Sequence, residues 1–239
     1  MSSVYRQATR ALLLFAVHTL ASGAACEDSS APDAARAVGY VPDGLGLIAC
    51  KPLPTDPTRK IVAFVREIGT HEYSLVVLIA ATASGEVLSK FIEERAPFSG
   101  SGDPDKLTID TAKYLLAPGT RAFGIRVRYS LNSWDQSEDL SLFVAHPDRL
   151  ERVLSDMSVK FSYARGCPFD RTDMARRIVI ASSASNGFYD LVVRTNWATY
   201  EALSGPRHDC VYSRFPSREN SSARVKFVDG SYLVPPDLR

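Results

Sequence analysis

The chain has 239 residues, 45% of them hydrophobic and 23% charged, with a formal net charge of +1. A composition this ordinary excludes a disordered, fibrous or low-complexity chain, and the length suffices for one large β domain or two small ones. The charge, which turns slightly negative once residues 1–25 with Arg6 and Arg10 are set aside, argues against nucleic acid or an anionic membrane surface as a partner.

Arg6 and Arg10 precede the apolar run Ala11–Val17, and small residues follow from Ala21 to Ala25. That order is the order of a secretory signal peptide, so residues 1–25 are expected to be removed and the mature bacterial protein to be periplasmic or secreted. The apolar run is too short to span a bilayer, and no later stretch reads as a transmembrane segment. Cys26 follows directly. A bacterial lipobox carries Leu or a similar residue three before its cysteine, where this chain has Gly23, which leaves lipid anchoring at Cys26 as the lesser alternative. Otherwise Cys26, Cys50, Cys167 and Cys210 form an even set in an oxidising compartment, compatible with two disulfides in any of three connectivities. Sequence proximity favours Cys26 with Cys50 and Cys167 with Cys210; the second bridge would be worth about 4 kcal/mol of unfolded-chain entropy. No C-x-x-C or Cys/His pairing suggests a metal.

Residues 26–39 are polar, small and Pro-containing, and are expected to be a flexible leader. An antiparallel β domain is expected over residues 40–165. A smaller disulfide-braced β module is expected over 166–239, because the run of strands pauses at Arg165-Gly166-Cys167-Pro168. Pro52, Pro54 and Pro57 predict irregular chain over 51–58, ahead of a strand at 60–66. Residues 74–82 and 86–92 read as a hairpin; a two-residue Ser84-Gly85 turn would set Leu78 opposite Phe91 and Val77 opposite Ile92. Residues 97–106 (PFSGSGDPDK) are a loop without Walker spacing, and their G-S-G is not the G-x-S-x-G elbow of a serine hydrolase. After a strand over 107–116, Phe123, Ile125, Val127 and Tyr129 alternate with Gly124, Arg126 and Arg128, one face core and one face wet. Trp134, in the polar turn 132–137, is either a partner-binding anchor or a lid on the core. Further strands are predicted over 140–144, 150–154 and 158–164.

The best-specified hairpins lie in the last third. Arg176–Arg194 (RRIVIASSASNGFYDLVVR) is an apolar strand, a turn at Asn186-Gly187 and a second apolar strand that begins by showing Asp190. Asp229-Gly230 is a type I′ signal that would pair Phe227 with Tyr232 and Val225 with Val234, and Pro235-Pro236 ends that strand. At least eight short strands, little helix beyond the signal peptide and no repeat of 20–50 residues predict a mainly β fold, an antiparallel β-sandwich or split barrel.

Chemistry is sparse. His71, His146 and His208 are isolated near turns, the pattern of solvated histidines rather than ligands. Arg121, Arg126, Arg128, Arg149 and Arg152 are interspersed with Asp135, Glu138, Asp139, Asp148 and Glu151, which reads as a mixed solvated surface rather than a nucleic-acid site. The run Asn186-Gly187-Phe-Tyr-Asp190-Leu-Val-Val193 resembles the N-G-x-x-D-L-x-V core of FG-GAP and VCBS-like β repeats. In calcium-binding versions of those repeats carboxylates precede the Asn-Gly pair. Here the positions fall on Ser182 and Ala184, so Asp190 is expected to cap the turn or bind backbone N–H groups, calcium needing about six to eight oxygens. More broadly, Leu115–Gly124, Asp139–Phe143, Gly187–Arg194 and Val228–Tyr232 look like a group of exported proteobacterial proteins; the resemblance implies shared architecture and supplies no catalytic residues.

No catalytic, cofactor-binding or metal residue is therefore expected. The sequence points to a periplasmic, non-enzymatic binding protein whose partner is a periplasmic protein or an envelope component, an inhibitor or immunity protein being one form of it. The alternatives are a cell-envelope hydrolase whose catalytic acids converge from the 97–106 and 132–139 loops, and a lipid-anchored structural protein of the envelope.

Overall fold

The computed structural model describes residues 30–39, 47–96, 102–130, 135–164, 169–203 and 211–239. Consecutive apolar segments joined by short turns zip into antiparallel meanders, and the protein consists of two of them. The first is a four-stranded sheet of β1 (Leu47–Leu53), β2 (Asp56–Gly69), β3 (Glu72–Ala81) and β4 (Val87–Glu93) in sequence order. The second has seven strands: β5 (Asp103–Ala117), β6 (Thr120–Ser130), β7 (Gln136–Ala145), β8 (Leu150–Ala164), β9 (Arg171–Ser185) and β10 (Phe188–Tyr200), with β13 (Ser217–Val225) beyond β10. Two small ribbons complete the set, β11 (Ala202–Leu203) with β12 (Val211–Tyr212) and β14 (Phe227–Val228) with β15 (Ser231–Tyr232). The fold is mainly β, antiparallel and sandwich-like, as the alternation predicts. Among the described residues no helix is long and apolar enough to cross a membrane.

The two faces of the seven-stranded sheet bury different cores. Phe123, Ile125, Val127 and Tyr129 of β6 and Phe143 of β7 pack against Ile61, Ala63 and Val65 of β2 and Val77 and Ile79 of β3. Phe143 is the centre of this layer, edge-on to Phe91 at 5.1 Å and stacked on Phe123 at 5.8 Å. The opposite face carries Leu140 and Leu142 of β7, Met157 and Val159 of β8, and Leu191 and Val193 of β10. Among the described residues only the small β14–β15 ribbon and the C-terminal segment pack on that face. The sheet curls until β5 meets β9 and β10, without hydrogen bonds between them. The C-terminal residues Phe227, Tyr232, Val234 and Leu238 fill one end of the curl.

The turns behave as their residues demand. Asn186 and Asp229 take positive φ (49° each) ahead of Gly187 (83°) and Gly230 (86°), as a type I′ turn requires. Arg176–Arg194 is indeed a pair of adjacent antiparallel strands, Ile178 facing Val193 and Ile180 facing Leu191. Phe227 pairs with Tyr232 as predicted, but Val225 pairs with Leu191 rather than Val234, because β10 takes the preceding segment as the sheet's last strand.

Four expectations are corrected. The leader is not flexible throughout: Ser30–Ala37 is an α-helix, α1, whose Ala34 and Ala35 are fully buried against Val62, Phe64, Val76 and Leu78. Those residues form the outer face of the four-stranded sheet, which is apolar on both sides and needs a cover. The prolines do not prevent a strand, because β1 is an edge, where Pro52 costs no ladder hydrogen bond. The first long hairpin slips by one residue, pairing Val77 with Phe91 and Val76 with Ile92, since the chain turns through Thr82–Gly85 with Ala81 N–H donating to Glu86 O (2.8 Å). The boundary predicted at residue 166 divides no sheet: β8 and β9 pair directly across it, Ala164 with Arg171 and Lys160 with Ala175.

Candidate functional site

Where the curl is not filled by the C-terminal segment, its inner face is an open trough. One lobe of about 710 Å³ lies between β5 and β9, and another of about 290 Å³ continues toward the start of β7 and β9; the two share Lys106, Glu138 and Lys160. β5 contributes Lys106, Thr108, Asp110 and Lys113, and β6 contributes Arg126 and Arg128. Gln136 and Glu138 come from β7, Lys160 and Ser162 from β8, and Arg171, Asp173, Arg176 and Arg177 from β9.

Arg126 is the node of this surface. Its Nε and one terminal nitrogen donate to Asp110 Oδ2 (2.9 and 2.7 Å), and the other donates to Glu138 Oε1 (2.8 Å). Tyr114 Oη donates to the same Asp110 oxygen at 2.8 Å, and Ala112 N–H donates to its other oxygen at 2.9 Å. Burial alone would raise the Asp110 carboxyl, but the Ala112 amide, the Tyr114 hydroxyl and Arg126 outweigh it and hold it below the usual carboxylate range. Burial and the Asp110 charge push the Tyr114 hydroxyl up to about 12. Gly124 makes the arrangement possible. It pairs with Asp110 across β5–β6, and a Cβ added there would stand 3.1 Å from Asp110 Cβ and 2.7 Å from Leu140 Cδ1.

The trough is markedly basic. Eight basic side chains line it against three acidic ones, in a chain whose basic and acidic totals differ by one. Arg128 is held by Asp105 (2.7 and 3.0 Å), Arg171 by Asp173 (2.9 Å), and Lys160 lies 3.7 Å from Glu138. Arg176 donates to Ser158 O (2.8 Å), Leu238 O (2.9 Å) and Asp237 O (2.6 Å), tying the C-terminal segment to the trough floor. Lys106, Lys113 and Arg177 make no ion pair among the described residues.

The residues singled out from sequence lie elsewhere. Asp190 is buried beside the Asn186-Gly187 turn and accepts from Ser183 Oγ and Ser185 Oγ, both at 2.7 Å, with Arg224 at 3.4 Å. Of the two roles expected, capping the turn or binding backbone N–H groups, it takes neither through the backbone and braces the turn through the two serine hydroxyls. Those two hydroxyls, helped by Arg224, hold its carboxyl below the usual range. Asn186 Nδ2 donates to Phe227 O (3.0 Å). This joins the Asn186-Gly187 hairpin to the one closed by Asp229 and Gly230. Cys50 sits half-buried in β1 and is not a free thiol; Cys26, Cys167, Cys210, Trp134 and His208 lie outside the described residues.

The five arginines read as one surface are dispersed. Arg126 and Arg128 face the trough, whereas Arg152 reaches across to Glu93 of the other sheet (2.5 and 2.9 Å) and Arg121 donates to Thr111 O (2.9 Å). On the two loops proposed for catalytic acids, each described carboxylate has its own partners. Asp103 lies 2.7 Å from His71 Nδ1 and accepts from Tyr73 Oη at 2.7 Å, with both His71 and Asp103 more than half exposed. Asp135 accepts from Ala164 N–H at 3.2 Å. Among the described residues no group of three or more His, Cys, Asp or Glu is arranged to hold a metal ion. No family model, curated protein or solved structure matches the chain.

Proposed function

We propose that this is a non-catalytic binding protein that takes an anionic ligand in the trough of its curled sheet. What carries the reading is the charge imbalance: a nearly neutral chain gathers eight basic and three acidic side chains on one concave surface, and four of the cations there, Lys106, Lys113, Arg176 and Arg177, have no acid partner among the described residues. Like charges placed together repel, so such a surface costs stability unless a counter-charge is recruited from solution. The two lobes fall within the size range of ligand sites. Because strands β6 and β7 are hydrogen-bonded on both sides, the middle of the floor is rigid and its side chains are preorganised.

The N-terminal pattern of Arg6, Arg10 and Ala11–Val17 supports a periplasmic or secreted location, and Cys26–Cys50 and Cys167–Cys210 are the pairings that sequence proximity favours. Thermal melts test the binding. Dextran sulfate, with dextran as its neutral control, is expected to raise the melting temperature of the wild type in a salt-sensitive way and to leave Lys106→Glu/Arg177→Glu unchanged. An equal rise in the double variant overturns the reading. Mass spectrometry of the exported protein tests the location; an N-terminus still at Met1 counts against it.

A further inference from the structure

Building on the anion-binding reading, we infer that the trough is the seat of an acidic oligosaccharide, a short glycan bearing carboxylates. Three observations narrow the ligand. First, the two lobes join through Lys106, Glu138 and Lys160 and cross five strands, a path on the order of 19 Å at the usual strand spacing. That suits an extended ligand better than a single small anion.

Second, acids remain among the cations. Glu138 and Asp173 line the floor beside Gln136, Ser162 and Thr108, and each carboxylate keeps lone pairs beyond those used by its present partners. A ligand offering acceptors alone, such as polyphosphate, meets repulsion there. A sugar chain brings carboxylates for Lys106, Lys113 and Arg177 and hydroxyl donors for Glu138 and Asp173.

Third, the floor is the middle of a sheet. Strands β6 and β7 are paired on both sides, and β8 and β9 pair with each other over Lys160–Ala164 and Arg171–Ala175, so this part of the floor presents no edge to an acidic peptide, which docks on sheets through edge-strand ladders. An acyl chain is no better served, because Leu140 and Val159 at the trough floor are already buried in the second core. Side chains alone do the recognising, and a polyhydroxylated acid satisfies them.

The test is titration calorimetry with a hexamer of galacturonic acid, set beside maltohexaose, hexaglutamate and hexameric polyphosphate. The hexauronate is expected to bind at least tenfold more tightly than the other three, about 1.4 kcal/mol. Lys106→Glu/Arg177→Glu should lose that affinity by tenfold or more, while Arg218→Glu on β13, a single charge reversal on an exposed edge, retains it. Lys113→Glu repeats the test from β5. Equal binding of hexauronate, hexaglutamate and polyphosphate overturns the glycan inference and leaves a general anion trough. Binding of none of them, or equal binding of maltohexaose, overturns both. Undiminished binding in the charge-reversed variants overturns the site.

Discussion

The two faces of the seven-stranded sheet grow from the same strands, each with its own core, and differ in chemistry where the trough opens on the second face. On β6, Phe123, Ile125, Val127 and Tyr129 are buried under the four-stranded sheet, while Arg126 and Arg128, one residue out of phase, line the trough. The first face is held by apolar area and ring packing; the second joins an apolar core to charge-assisted hydrogen bonds around Arg126. Carboxylates next to the two faces respond in opposite directions. Asp110 is held below the usual range despite burial, because an amide, a hydroxyl and a guanidinium meet it. Asp156, at a β8 bulge with positive φ (43°), is pushed up by burial, with Arg152 opposing and Glu93 adding to the rise. A strand can therefore carry a packed core on one side and a charged surface on the other, provided its polar side is either internally paired or open to solvent.

Substitutions should separate the faces in a graded series. Phe143→Ala removes the ring that meets both Phe91 and Phe123, and urea denaturation should show a loss of about 4 kcal/mol. Gly124→Ala forces a methyl against Leu140 and Asp110, and should cost about 2 kcal/mol as well as displacing Asp110 from Arg126; an unchanged denaturation midpoint would show that the close approach is not needed.

The next step down is electrostatic, and its sign differs between the two carboxylates. Asp110 has a depressed folded-state pKa, so it contributes stability above its unfolded value, and that contribution is lost as pH falls through the folded value. Asp110→Asn should cost about 2 kcal/mol at pH 7, and the gap to wild type should close in acid. Asp156 has a raised folded-state pKa, so its charged form disfavours folding as pH rises through that value. Asp156→Asn, which also tolerates the positive φ, should be neutral or stabilising at pH 7 and lose any advantage in acid. Parallel pH profiles for the two variants would break the contrast. Smallest of all, Lys106→Glu should change stability by less than about 0.5 kcal/mol while abolishing anion binding; a large loss of stability would show that the trough cation is structural.

Much of the fold can be read directly from residues. Asn186-Gly187 and Asp229-Gly230 mark their turns because few residues accept two successive positive φ angles, and the β6 alternation names its buried face because side chains alternate strictly along a strand. Ser84-Gly85 misleads by one residue. Both faces of β3 are apolar, so local pattern does not choose between neighbouring registers, and the longer turn through Thr82–Gly85 decides. The helix Ser30–Ala37 is masked by Pro32 and its polar composition, and only the apolar outer face of β2 and β3 gives it a reason to dock.

The trough is the feature that sequence conceals most completely. Lys106, Arg126, Lys160 and Arg177 sit on four different strands, spread across 72 positions of chain, and each by itself is an unremarkable charge on a wet strand face. Sequence alone determined that the chain is an antiparallel β protein, where its tight turns fall and which side of β6 is core, because those depend on local backbone preference and a period of two. The curl of the seven-stranded sheet, the filling of one end by Phe227 to Leu238 and the gathering of cations at the other were decided only by tertiary structure, since electrostatic neighbourhood is set by distance in space and not by separation along the chain.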